Sequence, residues 1–280
     1  AVNVSSINFT NNEEYELFNR NKVAFFRLDI NYNILKSQMI ESTTKYNNGD
    51  FHNLSNIIFN NNSTSENLNF RNTLFDQNVT YTNKINSKNV ILISGRFINE
   101  KTPQIYTVNK DFFEDIFSDF SSVNNVEQAI NNQMYFAGLS AHWLNRKLNN
   151  DLLELRFGNE YRNDKLLTEF SLLENDIVIN KPSGYQNHTE YYINDLYLKG
   201  IYNYNIKNFV IISELGVHHL FNQLSNNLDS NSRKSTFVNP NIGFNWKIDK
   251  KNKITASYSF NKTTASVLDV NSDYILTEFR

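Results

Sequence analysis

Ala24-Phe25-Phe26-Arg27-Leu28-Asp29-Ile30-Asn31-Tyr32-Asn33-Ile34 alternates in character residue by residue. Successive side chains of an extended chain face opposite ways, so Ala24, Phe26, Leu28, Ile30, Tyr32 and Ile34 form one greasy face, with Arg27, Asp29, Asn31 and Asn33 behind them. Such a stretch reads as a strand with one apolar and one hydrophilic side. The division recurs with Leu153, Leu155, Phe157 and Tyr161 against Glu154, Arg156, Glu160 and Arg162. It returns as Val238, Ile242, Phe244, Trp246 and Ile248 against Asn239, Asn241, Asn245 and Lys247, and again as Ile254, Ala256, Tyr258 and Phe260 against Lys253, Thr255, Ser257, Ser259 and Asn261.

Composition agrees with an all-β chain of 280 residues. Phe (22) and Tyr (15) are abundant, and there are about 50 Asn; aromatic residues favour strands and Asn favours turns. Apolar residues make up 40% of the chain but are never pooled: runs such as Val90–Ile93 and Phe209–Ile212 fall far short of the roughly 18 residues of a membrane-spanning helix. The net charge of −2, with Lys and Arg scattered, gives no basic stripe for nucleic acid. Cysteine is absent, which removes disulfides, thiolate metal sites and a cysteine nucleophile. The start, Ala1-Val2-Asn3-Val4, lacks the charged and apolar regions of a signal peptide.

The connections fall into two classes. Short turns are expected at Asn19–Lys22, Asn83–Lys88, Asn145–Asn150, Asn205–Asn208 and Asp249–Asn252, and long excursions near 46–66, 99–131, 175–190 and 222–235. Short turns at one end and long loops at the other are the habit of outer-membrane barrels, and a soluble sandwich has no reason to follow it. Phe18, Tyr81, Trp143, Tyr204 and Trp246 each precede a short turn and would form an aromatic girdle at one membrane boundary. Aromatics populate strand ends in any β protein, but that does not explain why the short turns are the marked ones. The fold class expected is therefore an antiparallel transmembrane β-barrel, a partial barrel of about ten or eleven strands, in which 22–45 and 151–174 project beyond the membrane. Two features resist: Pro240 lacks a ladder donor, and Asn163-Asp164-Lys165 breaks the register, as a bulge or a turn.

In the 99–131 excursion, Phe112, Phe113, Ile116, Phe117 and Phe120 follow helical spacing, and Asn124 with Glu127 resembles a capping box for a second short helix. A helix here would pack on the barrel mouth or contact a ligand or partner.

Four groups of segments resemble the barrel portion of the TonB-dependent outer-membrane receptors of Bacteroidetes-type bacteria: Ala137–Arg146, Leu152–Asp164, Val238–Phe244 and Ile254–Phe260. These motifs are degenerate, although the resemblance extends over most of the chain. It implies an importer of a nutrient such as a siderophore, oligosaccharide or peptide, not an enzyme, with outer-membrane lipid, the inner-membrane energy-coupling protein TonB and a surface lipoprotein as partners. Family barrels have 22 strands behind a plug domain. No segment here resembles the plug, so residues 1–280 are expected to be a barrel segment of a longer protein, with a complete barrel of 10 or 12 strands as the alternative. A non-transporting barrel with a structural, adhesive or secretion-accessory role is the functional rival, and a soluble all-β binding module a third.

No chemistry is expected beyond this. His218 and His219 are neighbours on a strand and face opposite sides, so they cannot share a metal ion without distortion. Ser213 lies on the face opposite Glu214 and His218, which leaves no catalytic triad. No cofactor is implied. The polar residues expected to line the lumen are Arg27, Asp29, Glu154, Arg156, Glu160, Arg162, Glu214 and His218, as substrate or plug contacts or as paired charges solvating the interior.

Overall fold

The computed structural model describes residues 13–59, 62–109, 122–147, 149, 151–226 and 229–262. They form one antiparallel sheet of 11 strands, in chain order apart from the short seventh strand. These are β1 (Glu13–Leu35), β2 (Gln38–Phe59), β3 (Asn62–Lys84), β4 (Asn89–Val108), β5 (Asn125–Arg146), β6 (Leu152–Glu174), β7 (Ile177–Asn180), β8 (Asn187–Ile206), β9 (Phe209–Ser225), β10 (Ser230–Lys247) and β11 (Lys253–Ser259). Short β7 pairs with the end of β6 alone, and a single 3₁₀ turn spans Ser183–Tyr185. Among the described residues, β1 pairs only with β2 and β11 only with β10.

The strands are tilted relative to the row of turns. Directly opposed residues run Leu35, Gln38, Asn83, Ile91, Trp143, Leu155, Gly200, Leu215, Pro240 across the sheet. The row starts at the last residue of β1 and ends well above Lys247, the last residue of β10. This is a stagger of about one residue per strand. With strands ~4.8 Å apart and a rise of ~3.3 Å per residue, it tilts the strands by roughly 35°, in the range that closed barrels require.

Several expected boundaries are corrected. Asn19–Lys22 lies inside β1, paired with Asp50–Asn53, and the first turn is Lys36–Ser37. It contains neither Gly nor Asn, so nothing in the residues marks it, and the expected single strand over 22–45 is two strands of a hairpin. The excursion expected at 46–66 is mostly strand, and the one at 222–235 shrinks to the connection between Ser225 and Ser230. That at 99–131 shrinks likewise, because β4 runs to Val108 and β5 starts at Asn125. Glu127 is a strand residue opposite Thr107 and Ser171. Asn124 caps no helix. It exchanges hydrogen bonds with Asn175, its Nδ2 donating to Asn175 Oδ1 and its Oδ1 accepting from the Asn175 N–H, both at 3.0 Å. Asn175 and Asp176 both have positive φ (49° and 65°), as a two-residue hairpin turn demands and as Asn and Asp tolerate. The Phe112–Phe120 segment lies outside the described residues.

Both resistant features have an explanation. β6 is continuous through Asn163-Asp164-Lys165, with every residue opposed on both sides. What changes there is the character of one face, not the register. Pro240 sits where the β10–β11 ladder stops: the last pair is Asn241–Ser259, and the Phe260 N–H donates to the Pro240 carbonyl at 3.0 Å. Proline has no N–H to return, so the ladder ends.

The turns at Ile85–Asn89 and Ile248–Asn252 are built alike. In each the first residue's N–H donates to the last residue's carbonyl, at 3.0 Å in both. Asn86 or Asp249 then accepts two backbone N–H groups through one side-chain oxygen. The Asn252 amide and these N–H groups hold the Asp249 carboxyl below its ordinary range. A lowered native pKa contributes stability that is complete above the unfolded value, roughly 3.9, and lost as pH falls through the native one. Amide exchange should therefore show Lys251 and Asn252 losing protection as the medium is acidified through that window. Asp249→Ala should remove the protection at neutral pH, while Asp249→Asn should retain it and abolish the pH dependence.

Candidate functional site

Directly opposed residues of an antiparallel sheet lie on the same face, so the pairing sorts every side chain. One face carries Phe26, Leu28, Ile30 and Tyr32 of β1, then Tyr81, Ile93, Ala141, Phe157, Leu198 and Val217, and Val238 to Trp246 at even positions of β10. It is apolar near the short turns and turns polar farther up: Lys22 and Arg20 follow Ala24 on β1, Gln133 follows Tyr135 on β5, and Lys165 follows Asn163 on β6. The apolar part runs from Ile34 to Ala24 on β1, from Trp143 to Tyr135 on β5 and from Leu153 to Tyr161 on β6. Its height is thus roughly the 9–11 residues with which a tilted strand crosses a bilayer, although most strands here have 20 to 23 residues. The break expected at Asn163 is the upper border of this belt.

The opposite face is mainly polar and, on the strands between the two edges, holds the buried charged residues. Asp76 is 9% exposed, Asp164 2% and His218 8%, against 52% for Phe26, 63% for Leu139, 55% for Phe157 and 54% for Ile242 on the apolar face. This inverts the usual protein, in which charge is outside and large apolar side chains inside.

All eight residues expected to line a lumen share this polar face, with Arg27, Asp29 and Glu160 exposed on it. The structure joins them to partners that the sequence does not single out. Arg27 Nε donates to Asp29 Oδ2 at 2.7 Å, and the Thr43 hydroxyl, directly opposite, donates to Asp29 Oδ1 at 2.7 Å. Arg156 Nη2 donates to Glu154 Oε1 at 2.8 Å, with His142 Nδ1 3.3 Å from the same oxygen. Arg162 lies 2.8 Å from Asp164, and Arg96 grips Asp76 through Nε and Nη2 at 3.0 and 3.1 Å, with Lys45 4.0 Å away. Asp195 stands opposite Glu160, and His218 Nδ1 donates to its Oδ2 at 2.8 Å while stacking on Phe237. Gly158 is needed beside them, since a Cβ there would come within 2.5 Å of the Tyr197 ring. The result is a lattice of ion pairs. Asp76, Arg96, His142 and Asp195 escape a reading of the sequence because their partners lie across strands, at separations that no local pattern reveals, whereas Asp164 pairs with Arg162 on its own strand. Above the lattice, Leu166, Tyr191, Ile193 and Leu220 form one buried apolar cluster and Val108, Val126, Phe170 and Leu172 another.

Of the five aromatics expected at one rim, Tyr81, Trp143, Tyr204 and Trp246 lie on the apolar face close to the short-turn ends of their strands. Phe18 shares the face but stands opposite Leu54, toward the other end of β1, because the turn expected beside it does not exist. Tyr32, opposite Ile40 and near Lys36–Ser37, takes the corresponding place. His219 faces away from His218 and pairs with Thr236, and no cluster of three or more potential metal ligands occurs among the described residues.

No family model matches the sequence, and no curated protein does. Among solved structures, the chain is similar to the ferric citrate transporter FecA in the unliganded form (9% identity, 82% of this chain and 40% of that one, TM-score 0.47). It is also similar to the siderophore receptor PiuA from Acinetobacter baumannii (9%, 88% and 49%, 0.46) and the ferric-catecholate import receptor Fiu from E. coli K12 (8%, 87% and 49%, 0.42). The chain spans half or less of each. At such values the likeness carries no functional weight, and a functional reading has to rest on the two faces of the sheet.

The lattice is testable pair by pair. Arg96→Met leaves the largely buried Asp76 carboxylate short of two donors and should cost roughly 1–3 kcal/mol in urea unfolding. The double variant Arg96→Met, Asp76→Leu should recover most of that loss, since replacing both members leaves no largely buried carboxylate without its cation.

Proposed function

We propose that this chain is wall of a transmembrane β-barrel in a bacterial outer membrane, and that the barrel belongs to an energy-coupled importer of the TonB-dependent kind. The observation that carries the membrane placement is the inverted sheet: an exposed, mainly apolar belt of bilayer height on strands tilted as barrels demand, interrupted by Ser42, Thr44, Gln77 and Asn159 and backed by a lattice of charge. In water such a belt would be a large aggregation surface. In a bilayer it is the solvent-facing side, and the lattice borders a lumen. Tyr32, Tyr81, Trp143, Tyr204 and Trp246 then form the aromatic girdle at the periplasmic boundary. Hydrocarbon tolerates no open sheet edge, so β1 and β11 take strand partners outside the described residues. Strand extensions above the belt, held together on the inner side by the apolar clusters around Leu166 and Phe170, carry the ligand-binding loops outside the cell, where a rigid wall holds them.

The import role is supported by the resemblance of Ala137–Arg146, Leu152–Asp164, Val238–Phe244 and Ile254–Phe260 to family barrels. The cargo is a nutrient such as a siderophore, oligosaccharide or peptide, and the work is done by coupling to TonB rather than by catalysis.

Depth should be readable by mutation. Phe157, midway up the apolar part of β6, should lose about 2–4 kcal/mol on replacement by Arg, and Leu153 at its lower border about 0–1 kcal/mol. Glu160→Ser, behind Phe157, should cost much less than Phe157→Arg. Equal losses on both faces, measured by urea unfolding in lipid vesicles, contradict the membrane placement.

Uptake by cells producing the protein should stop when the inner-membrane potential is dissipated, while ligand stays bound at the surface. Uptake that survives dissipation identifies a passive pore, and absence of any ligand favours a structural barrel.

A further inference from the structure

At the upper border of the belt and beyond it, the inner wall formed by β1 to β4 sets aromatic rings among amides. Phe51 and Phe70 are directly opposed across β2 and β3 and stack, with ring centroids 4.3 Å apart and planes 4° from parallel. On the same face, Asn21 stands opposite Phe51 on the β1 side and Gln104 opposite Phe70 on the β4 side. Asn53 lies two residues beyond Phe51 and Asn72 two beyond Phe70, so amides surround the pair. Nearer the belt, Phe25, Asn47 and Leu74 are opposed in one row, and apolar and amide side chains alternate there too. Gly49, between Asn47 and Phe51, gives the Phe51 ring its place, because a Cβ there would run into it.

These amides are uncommitted. The side-chain oxygens of Asn47 and Asn72 are buried without a donor, and among the described residues no side-chain hydrogen bond engages Asn21, Asn53 or Gln104. Lower on the same wall, by contrast, polar groups are used on one another. The patch also lacks a cation. Along this face of β1, β2 and β4 the next ones toward the short turns are Arg27, Lys45 and Arg96, each within 4.0 Å of Asp29 or Asp76. Glu100, opposite Leu74, is the charge that borders the patch.

We infer that this patch binds a neutral saccharide at the mouth of the barrel: the rings take the C–H face of a sugar and the surrounding amides take its hydroxyls. The site rests on the importer reading above and names the class of its cargo. The weakly positive C–H groups on the face of a sugar match the negative face of an aromatic ring. Its hydroxyls both donate and accept, as amide side chains do. A wholly apolar ligand would bury these amides without partners, which costs free energy. An anionic iron chelate would find no cation that is not already held by a carboxylate.

The full-length protein, in a zwitterionic detergent that contains no sugar, is screened on an array of neutral oligosaccharides, and the tightest binder is titrated by calorimetry. The expected result is saturable binding that 1 M salt, with a screening length of about 3 Å, leaves unchanged. Phe51→Ala should weaken binding about 10-fold and Asn72→Leu about 5-fold, while Phe51→Tyr and Glu100→Gln should stay within about 2-fold of the unaltered protein. Gly49→Ala should weaken it by displacing the Phe51 ring. Heat-modified gel migration shows which variants keep the barrel, and the salt titration of the unaltered protein stands even where a variant folds poorly. Absence of binding to every saccharide overturns the site, as does binding that both Phe51→Ala and Asn72→Leu leave intact in folded protein. Salt-sensitive binding of ferric citrate that Phe51→Ala abolishes also overturns the saccharide site, while leaving the importer reading intact. Uptake of the bound saccharide that survives dissipation of the membrane potential overturns the importer reading and leaves the site standing.

Discussion

Everything in this structure depends on one constraint: side chains alternate across a strand, and directly opposed strands keep that alternation in step. A slip of one residue anywhere would exchange Phe157 for Arg156 and put charge into the apolar belt. Among the described residues one register runs from β1 through β6 and β8 to β11, with shifts only beside the first turn and at short β7 and a gap in the β3–β4 ladder between Phe70 and Thr73. A common register is what lets eleven modest patterns add up to two coherent surfaces.

Those surfaces solve different solvation problems. On β1, β5 and β6 the apolar face ends where Lys22, Gln133 and Lys165 appear, so its height there is set by residue identity rather than by strand length. The polar face buries carboxylates that no soluble core would accept unpaired. Asp76, Glu154, Asp164 and Asp195 each have a cation or a histidine within 3.3 Å. Removing one partner strands a charge, whereas removing both leaves an apolar gap; the lattice thus fixes where polarity sits on the sheet more than it adds stability.

The two ends of the sheet differ in kind. At the short-turn end, side-chain oxygens of Asn86, Asn149, Asp151 and Asp249 accept backbone N–H groups and make compact, regular turns. Positive charge gathers around them. At the other end the strands outrun the belt, and apolar clusters around Phe170 and Leu166 hold the extensions together on the inner side. This asymmetry makes the two ends of the sheet chemically distinct.

The alternation in Ala24–Ile34, Leu153–Arg162 and Val238–Lys247 by itself determined the strands and which side of each is apolar, because period two is a local property of covalent geometry. The eight charged or polar residues assigned to one face, from Arg27 to His218, follow from the same parity. Turns rich in Asn and Asp are also legible in the sequence, since their side chains make the turn. Lys36–Ser37 is not, because its geometry is imposed by the paired strands on either side, and Asn19–Lys22 reads as a turn because composition alone cannot tell an Asn in a ladder from one that ends it. Nor could the sequence place Asn124 against Asn175, Arg96 against Asp76 or Asp195 against His218. Those contacts join residues far apart in the chain, and only the register of neighbouring strands decides which side chains meet.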